Sequence, residues 1–211
     1  MLAINEEFFS IQGEGIHTGV PMYFVRLQGC DVGCYFCDTK YTWKDKSADI
    51  YENDIADRAF HLGAKWICIT GGEPYEQNLA VLVAVAHDNG LKTQVETSGG
   101  APWQDAKIDW ITLSPKDLFT KPDFQTHEEY KERANEIKCV VTKQKDIQYY
   151  IDNYYSYCNS KKPLIFQLLD ENFGNNVFKI NNTLSNQIFD KIKNMEYARC
   201  MIQTHKIMEM R

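Results

Sequence analysis

No run of about eighteen apolar residues occurs, so no segment is expected to cross a membrane as a helix. The opening, MLAINEEFFS, lacks a basic stretch followed by an apolar one, and a secretory signal is not expected. Positive charge is in deficit: 23 Lys and Arg against 29 Asp and Glu leave a net charge of −6. A strongly basic nucleic-acid binder is therefore not expected. No internal repeat or low-complexity block stands out; the tyrosines from Tyr149 to Tyr157 are a local bias. Seven cysteines without an export signal are expected to be reduced thiols in a cytoplasmic setting, since disulfide frameworks belong to oxidising compartments. What is present is ordinary for a globular chain. Of 211 residues, 44% are hydrophobic and 25% charged, which suits a single domain over 1–211 with a sizeable core.

Short apolar segments alternate with helical patterns. Candidate strands are Tyr23–Leu27, Trp66–Thr70, Thr93–Thr97, Trp110–Leu113, Ile137–Thr142, Leu164–Leu169 and Ala198–Gln203. They read as buried parallel strands. Between them, Ile55, Ala59 and Leu62 recur at helical spacing after a possible cap at Asn53. The apolar run from Asn78 to Asn89 stops at Gly90, and two further stripes are Ile147, Ile151, Tyr154, Cys158 and Leu184, Ile188, Ile192, Met195. The segment from Asp117 to Arg133, with Pro122 and little periodicity, reads as a surface loop or a lid. The alternation predicts an α/β fold with a parallel sheet. A closed eightfold barrel needs about 250 residues. The expected architecture is therefore an incomplete, open barrel of about six strands, of (βα)6 type, with ligands at the carboxyl ends of the strands.

The first candidate strand runs into RLQGCDVGCYFCDTK, which places Cys30, Cys34 and Cys37 within eight residues at C-x3-C-x2-C spacing. Three thiolates on one loop can hold three irons of a [4Fe–4S] cluster and leave the fourth open. A zinc site is the rival, with Asp38 or a distant His as fourth ligand, although no second paired-cysteine knuckle follows. Cys68, Cys139, Cys158 and Cys200 lie in apolar patterns and are expected to be buried thiols.

Other strand ends carry polar motifs. Gly71-Gly72-Glu73-Pro74 can expose backbone groups and a carboxylate to a ligand, or be an ordinary turn. Lys116 in Ser114-Pro115-Lys116 suits an anionic or ribose oxygen, against a solvated surface Lys. Glu14, flanked by Gly13 and Gly15, can accept paired N–H donors of a guanine-type ring, although as a bare pattern Gln12 to Gly15 is a weak turn signal. Arg26 is a charge inside an apolar strand and needs a partner, either an ion pair or a ligand. Thr39 reads as a turn residue or a weak oxygen ligand for Mg²⁺.

The cysteine spacing resembles that of the radical S-adenosylmethionine superfamily. INEEFFSIQGEG, GVPMYFVRLQGC, CDTKYTW, ITGGEP, ETSG, SPK, ANEIK and the terminal QTHK together resemble the 7-carboxy-7-deazaguanine synthases, from Ile4 to Lys206. The resemblance implies a lyase that contracts the ring of 6-carboxy-5,6,7,8-tetrahydropterin with loss of ammonia, for 7-deazapurine (queuosine precursor) synthesis. It implies a [4Fe–4S] cluster on Cys30, Cys34 and Cys37, with S-adenosyl-L-methionine and Mg²⁺ on Thr39. No conventional catalytic side chain is expected beyond the cluster and cofactor. S-adenosylmethionine contacts would come from Phe36, Cys37, Asp38, Gly72, Glu73, Ser114, Pro115, Lys116, Gln167, Leu168, Leu169 and Asp170. Substrate contacts would come from Ile11, Gln12, Gly13, Glu14, Arg26, Thr70, His205 and the terminal carboxylate of Arg211, although the ending MEMR departs from the apolar or small endings expected there. A homodimer and an electron donor such as flavodoxin or ferredoxin are implied as partners. The alternative is a radical activase of a glycyl-radical protein, which shares the cysteine motif but has no use for QGEG, Arg26 and QTHK together.

Overall fold

Every segment read as a strand joins one sheet in the computed structural model, which describes residues 1–44, 47–169 and 179–210. The strands are β1 (Leu2–Ile11), β2 (Pro21–Leu27), β3 (Ala48–Ile50), β4 (Trp66–Gly71), β5 (Lys92–Thr97), β6 (Trp110–Leu113), β7 (Glu136–Val141), β8 (Leu164–Leu168) and β9 (Ala198–Met201). Their order is β3-β1-β2-β4-β5-β6-β7-β8-β9. From β2 through β9 all pairings are parallel, whereas β1 pairs antiparallel with both β2 and β3. The described end strands, β3 and β9, do not pair, so the barrel is open. It holds seven parallel strands, one more than the six or so expected from chain length. The antiparallel strands β1 and β3 escaped the search for apolar runs. β1 carries Glu6 and Glu7 at its middle, ion-paired with Arg26 and Arg58.

Among the described residues six helices lie between strands, α1 (Tyr41–Lys44), α2 (Glu52–His61), α3 (Ala80–Asp88), α4 (Glu128–Arg133), α5 (Gln144–Tyr154) and α6 (Asn182–Ile192), and α7 (Thr204–Ile207) follows β9. The stripes expected on α2, α5 and α6 bury Ile55, Ala59, Ile147, Tyr154, Leu184, Ile188 and Ile192. Their far ends differ from expectation: Leu62 is exposed just past α2, and Cys158 lies beyond α5 with its thiol on the Tyr154 carbonyl. Tyr51, not Asn53, is the residue before α2. Within the segment expected to be loop, α4 forms around one apolar anchor, the fully buried Tyr130, too short a stretch to generate a period. Cys68 and Cys139 are buried, but Cys200 is exposed. It sits on β9, which pairs on one side only, with β8.

Because side chains alternate across a strand, each parallel strand sends one set toward the helices and the other into the barrel. Tyr23, Val25, Leu27, Ile67, Ile69, Val95, Ile111, Leu113, Ile137, Cys139, Leu164 and Phe166 join the main core with the helices. The opposite positions include Arg26, Thr70, Glu96, Lys138, Val140 and Gln167, which line an internal cavity. Loop 12–20, between β1 and β2, folds into the amino-terminal end of this interior. There the His17 ring packs between Trp66 and Trp110, at 4.8 and 4.3 Å, and its Nδ1 lies 2.6 Å from Gln94 Oε1.

Candidate functional site

The cavity opens where the parallel strands end. Cys30, Cys34 and Cys37 lie on its wall with Phe36, Asp38 and Thr39, all from the loop after β2. That loop is braced from two sides. The Gly72 N–H donates to Leu27 O (2.9 Å) and the Glu73 N–H to Gly29 O (2.9 Å), so the turn after β4 is bonded to the start of the cysteine loop. A Cβ at Gly72 would stand 1.7 Å from the Gly29 carbonyl oxygen, which leaves no room for another residue. On the other side, Phe119 packs edge-on against Tyr35 and Phe36, and the Thr120 hydroxyl donates to Val32 O.

Burial pushes the Cys30 thiol up to about 12 and raises Cys34 as well. Two neutral thiols in a water-poor wall become good ligands only when a cation compensates the lost hydration of the thiolate. Among the described residues no three His, Cys, Asp or Glu side chains converge on a point that would hold one metal ion. A closed zinc site needs such convergence. A cluster does not, because each thiolate takes its own iron. The three sulfurs, unpaired by disulfides and facing one cavity, fit the cluster.

Glu73 is 2% exposed, and its carboxylate is well occupied. It accepts from Thr97 Oγ1 (2.5 Å), Ser98 Oγ (2.5 Å), the Ser98 N–H (2.8 Å) and the Tyr75 N–H (3.3 Å). These bonds tie the turn after β4 to the end of β5. Lys116 donates from Nζ to Ser114 O (2.9 Å) and to Ser114 Oγ, and burial lowers its pKa. Gln167 is buried and lines the cavity, and its Oε1 has no partner among the described residues. An acceptor left dry in a cavity wall is suited to a donor on a bound molecule, such as an amino group or a ribose hydroxyl. Leu169 lines the same wall, whereas Leu168 faces the main core and Pro115 is not on the wall. Asp170 and Arg211 lie outside the described residues.

The same cavity is also lined by Ile11, Gln12, Gly13 and Glu14, with Arg26, Thr70 and His205. Arg26 and Thr70 are register neighbours on β2 and β4. Arg26 Nε is 2.8 Å from Glu6 Oε1, and its guanidinium lies over the Phe8 ring. Arg26 thus makes the expected ion pair while lining the cavity. The chain's end closes this wall. The Thr204 N–H donates to Gly13 O (2.9 Å), and His205 packs so tightly on Gly13 that a Cβ there would stand 1.9 Å from Nδ1. Burial lowers the His205 pKa, so the ring is neutral at pH 7. QGEG and QTHK, almost two hundred residues apart in sequence, form one surface.

Several lining residues were given no role from the sequence, although Lys138 ends the ANEIK motif and Gln203 and Lys206 belong to QTHK. Lys138 on β7 is the most buried cation of the cavity, its side chain 4% exposed, between Glu14 and Glu96. Gln203 donates from Nε2 to Glu14 Oε1 (2.5 Å). Lys206 is 3.4 Å from Asp38 Oδ2 and so links the chain's end to the cysteine loop. The signal for Lys138 was available: EIKCVV holds charges at alternate positions of an otherwise apolar strand, as expected of an inward face that is polar.

The 4Fe-4S single cluster domain family matches residues 11–141. The 7-carboxy-7-deazaguanine synthase of Escherichia coli K12 is 37% identical over 186 residues, covering 78% of this chain and 82% of that one. The enzyme of the same name from Flavobacterium psychrophilum is 40% identical over 146 residues, 69% and 67% of the two chains. The crystal structure of QueE from Escherichia coli superposes with a TM-score of 0.82 at 29% identity, covering 96% of this chain and 93% of that one. A radical SAM methyltransferase from Sphaerobacter thermophilus, at 14% identity and a TM-score of 0.59, shares the fold.

Proposed function

Since the chain belongs to the 7-carboxy-7-deazaguanine synthase family, we propose that its cavity carries out the family's ring contraction, with residues 1–211 acting as one catalytic domain. The enzyme is a radical S-adenosylmethionine lyase. Its substrate on this reading is 6-carboxy-5,6,7,8-tetrahydropterin, which loses ammonia to give the deazapurine. The carrying observation is that one cavity is lined both by three free thiols and by the QGEG and QTHK surface.

Cys30, Cys34 and Cys37 hold the cluster. Phe36, Asp38, Gly72, Ser114, Lys116, Gln167 and Leu169 surround S-adenosylmethionine. When bound, cluster and cofactor supply one-electron chemistry, removing a hydrogen atom from a substrate carbon and returning it. Glu73 acts chiefly by fixing the turn, because its carboxylate already accepts four hydrogen bonds. Gln12, Gly13 and Glu14 meet the pyrimidine edge of the substrate, where a carboxylate can accept from ring and amino N–H groups. Arg26 and Thr70 orient the substrate, and neutral His205 can donate or accept one hydrogen bond. Thr39 would offer one neutral oxygen to Mg²⁺, an ion that takes few protein ligands and would polarise a substrate oxygen there. The protein works as a cytoplasmic homodimer that takes its electron from flavodoxin or ferredoxin. The activase alternative draws no support from the relatives.

The deciding experiment is anaerobic turnover of iron-reconstituted protein with reductant, S-adenosylmethionine, Mg²⁺ and 6-carboxytetrahydropterin. Formation of 7-carboxy-7-deazaguanine, read by mass and absorbance, is expected. Release of 5′-deoxyadenosine without that product would move the substrate elsewhere within radical chemistry. Neither product, with an intact cluster, would overturn the reading.

A further inference from the structure

Lys138 sits at the centre of a buried ionic group. Its Nζ contacts Glu14 Oε2 and lies 3.1 Å from Glu96 Oε2. The other oxygen of each carboxylate is held by a glutamine amide: Gln203 Nε2 donates to Glu14 Oε1 at 2.5 Å, and Gln12 Nε2 donates to Glu96 Oε1 at 2.8 Å. The orientation of Gln12 is fixed, because its Oε1 accepts the Glu14 N–H at 3.1 Å. Every contact made to the two carboxylates by these side chains is therefore a donor contact.

Two carboxylates that share one buried ammonium, in a wall with little water, would without it favour a proton on one of them. A protonated Glu is no longer a pure acceptor, since it presents an O–H donor. The wall would then offer the wrong polarity to a ligand rich in N–H groups. The single ammonium between them prevents this. We infer that Lys138 is a positioning residue whose ammonium keeps Glu14 ionised and holds Glu14 and Glu96 in place as paired acceptors on the cavity wall. The inference rests on the proposed reading in one respect, that the substrate's N–H edge meets Glu14.

The electrostatics of the surroundings agree. Burial alone would raise Glu14, but the charge and hydrogen bond of Lys138, then the bond from Gln203, hold it well below the carboxylate range. Burial would lower Lys138, and Glu14, Glu96 and Glu136 raise it well above the usual lysine value. Around the group, Glu136 on the same strand is raised by burial, the Lys116 amine after β6 and the His205 ring of α7 are lowered by it, and the Cys68 thiol of β4 is raised far up. None of these supplies a second cation within hydrogen-bond reach of both carboxylates.

The test uses the full chain and the variants K138M and E14Q/K138M. An infrared titration reads the protonated carboxyl band without any ligand. Across the neutral range, K138M is expected to gain one protonated carboxyl relative to the parent, and E14Q/K138M to lose that gain. Glu136 contributes equally to all three. In parallel, equilibrium binding of 6-carboxytetrahydropterin is measured without reductant. A flat affinity profile is expected for the parent. For K138M, affinity is expected to fall about tenfold per pH unit on the acid side of the raised carboxyl pKa. Should K138M fail to fold, E14Q/K138M, which restores the original net charge, must fold better than K138M. Unchanged infrared bands with a flat binding profile in K138M would overturn the inference, as would a double variant no more stable than the single one. If the parent itself fails to bind the pterin, the functional reading falls, and the infrared arm still decides the role of Lys138.

Discussion

On β7 the outward residues are Ile137, Cys139 and Val141, and the inward ones are Glu136, Lys138 and Val140. On β8 the outward set is Leu164, Phe166 and Leu168, while Gln167 points inward. One backbone thus presents two chemistries. The outward face is apolar and bonds to nothing in particular, so its contribution is burial, about 25 cal/mol per Å² removed from water. The inward face carries the polar groups, Val140 apart, and each of them has a partner or lines the cavity. Outward residues should therefore govern whether the chain folds, and inward residues near the strand ends what the folded chain does. Changes on the two faces are expected to separate stability from activity.

The largest separation is expected at the cysteine loop. Cys34→Ala removes one thiol from the cavity wall and no part of the helix-packed core. Iron content after reconstitution should fall and turnover should vanish, while thermal unfolding of the iron-free chain moves by less than about 1 kcal/mol. Full iron loading and turnover in this variant would break the comparison at its strongest point. Next in size is Phe166→Ala, which empties a fully buried outward position. A loss of about 3–5 kcal/mol is expected, which lowers Tm by roughly 10 °C for a chain of this size. Activity per folded molecule should stay near the parent's at low temperature. If kcat falls while Tm holds, outward packing is setting the geometry of Gln167, and the two faces are not independent.

His17 sharpens the comparison, because it faces inward yet lies far from the strand ends. Its ring is held between Trp66 and Trp110 and bonds Gln94. Two aromatic contacts are worth about 0.5–1.5 kcal/mol each beyond burial. His17→Ala should therefore cost roughly 1–3 kcal/mol in denaturant unfolding, with little change in KM. A raised KM at unchanged stability would instead make the barrel floor part of the substrate wall.

The outward face was legible in the sequence, because seven apolar segments announced seven parallel strands. The inward face was legible only where glycines or cysteines marked it. Cys30, Gly72 and Gln12 stood in motifs whose chemistry could be read locally, whereas Lys138 and Gln203, although they end ANEIK and begin QTHK, showed no local sign of a role. Their meaning depends on what faces them across the barrel. Lys138 is 124 residues from Glu14, and Gln203 is 189 residues from it. No local pattern carries such pairings. The same limit hid β1, whose Glu6 and Glu7 are explained by Arg26 and Arg58, and led to Cys200 being taken as buried. Its apolar neighbours could not reveal that β9 ends the described sheet.

The smallest expected effect lies at the amino-terminal end of the strands, away from the cavity. Asp109, just before β6, accepts from the Thr93 N–H at 2.7 Å and the Thr93 hydroxyl at 3.1 Å, and pairs with His87 at 2.9 Å. Burial would raise its pKa, but these bonds and the imidazole lower it. A folded pKa below the unfolded one gives stability that is present above the unfolded value and is lost as pH falls through the folded value. Asp109 and His87 are both about one-third exposed. Solvent screening therefore limits the contribution to less than about 1 kcal/mol. In denaturant unfolding, the parent should exceed Asp109→Asn near neutral pH, and the gap should close at acid pH, below the ordinary aspartate range. Turnover should be equal in the two proteins at every pH where both are folded, because this bond network fixes the base of β5 and β6 and touches nothing in the cavity.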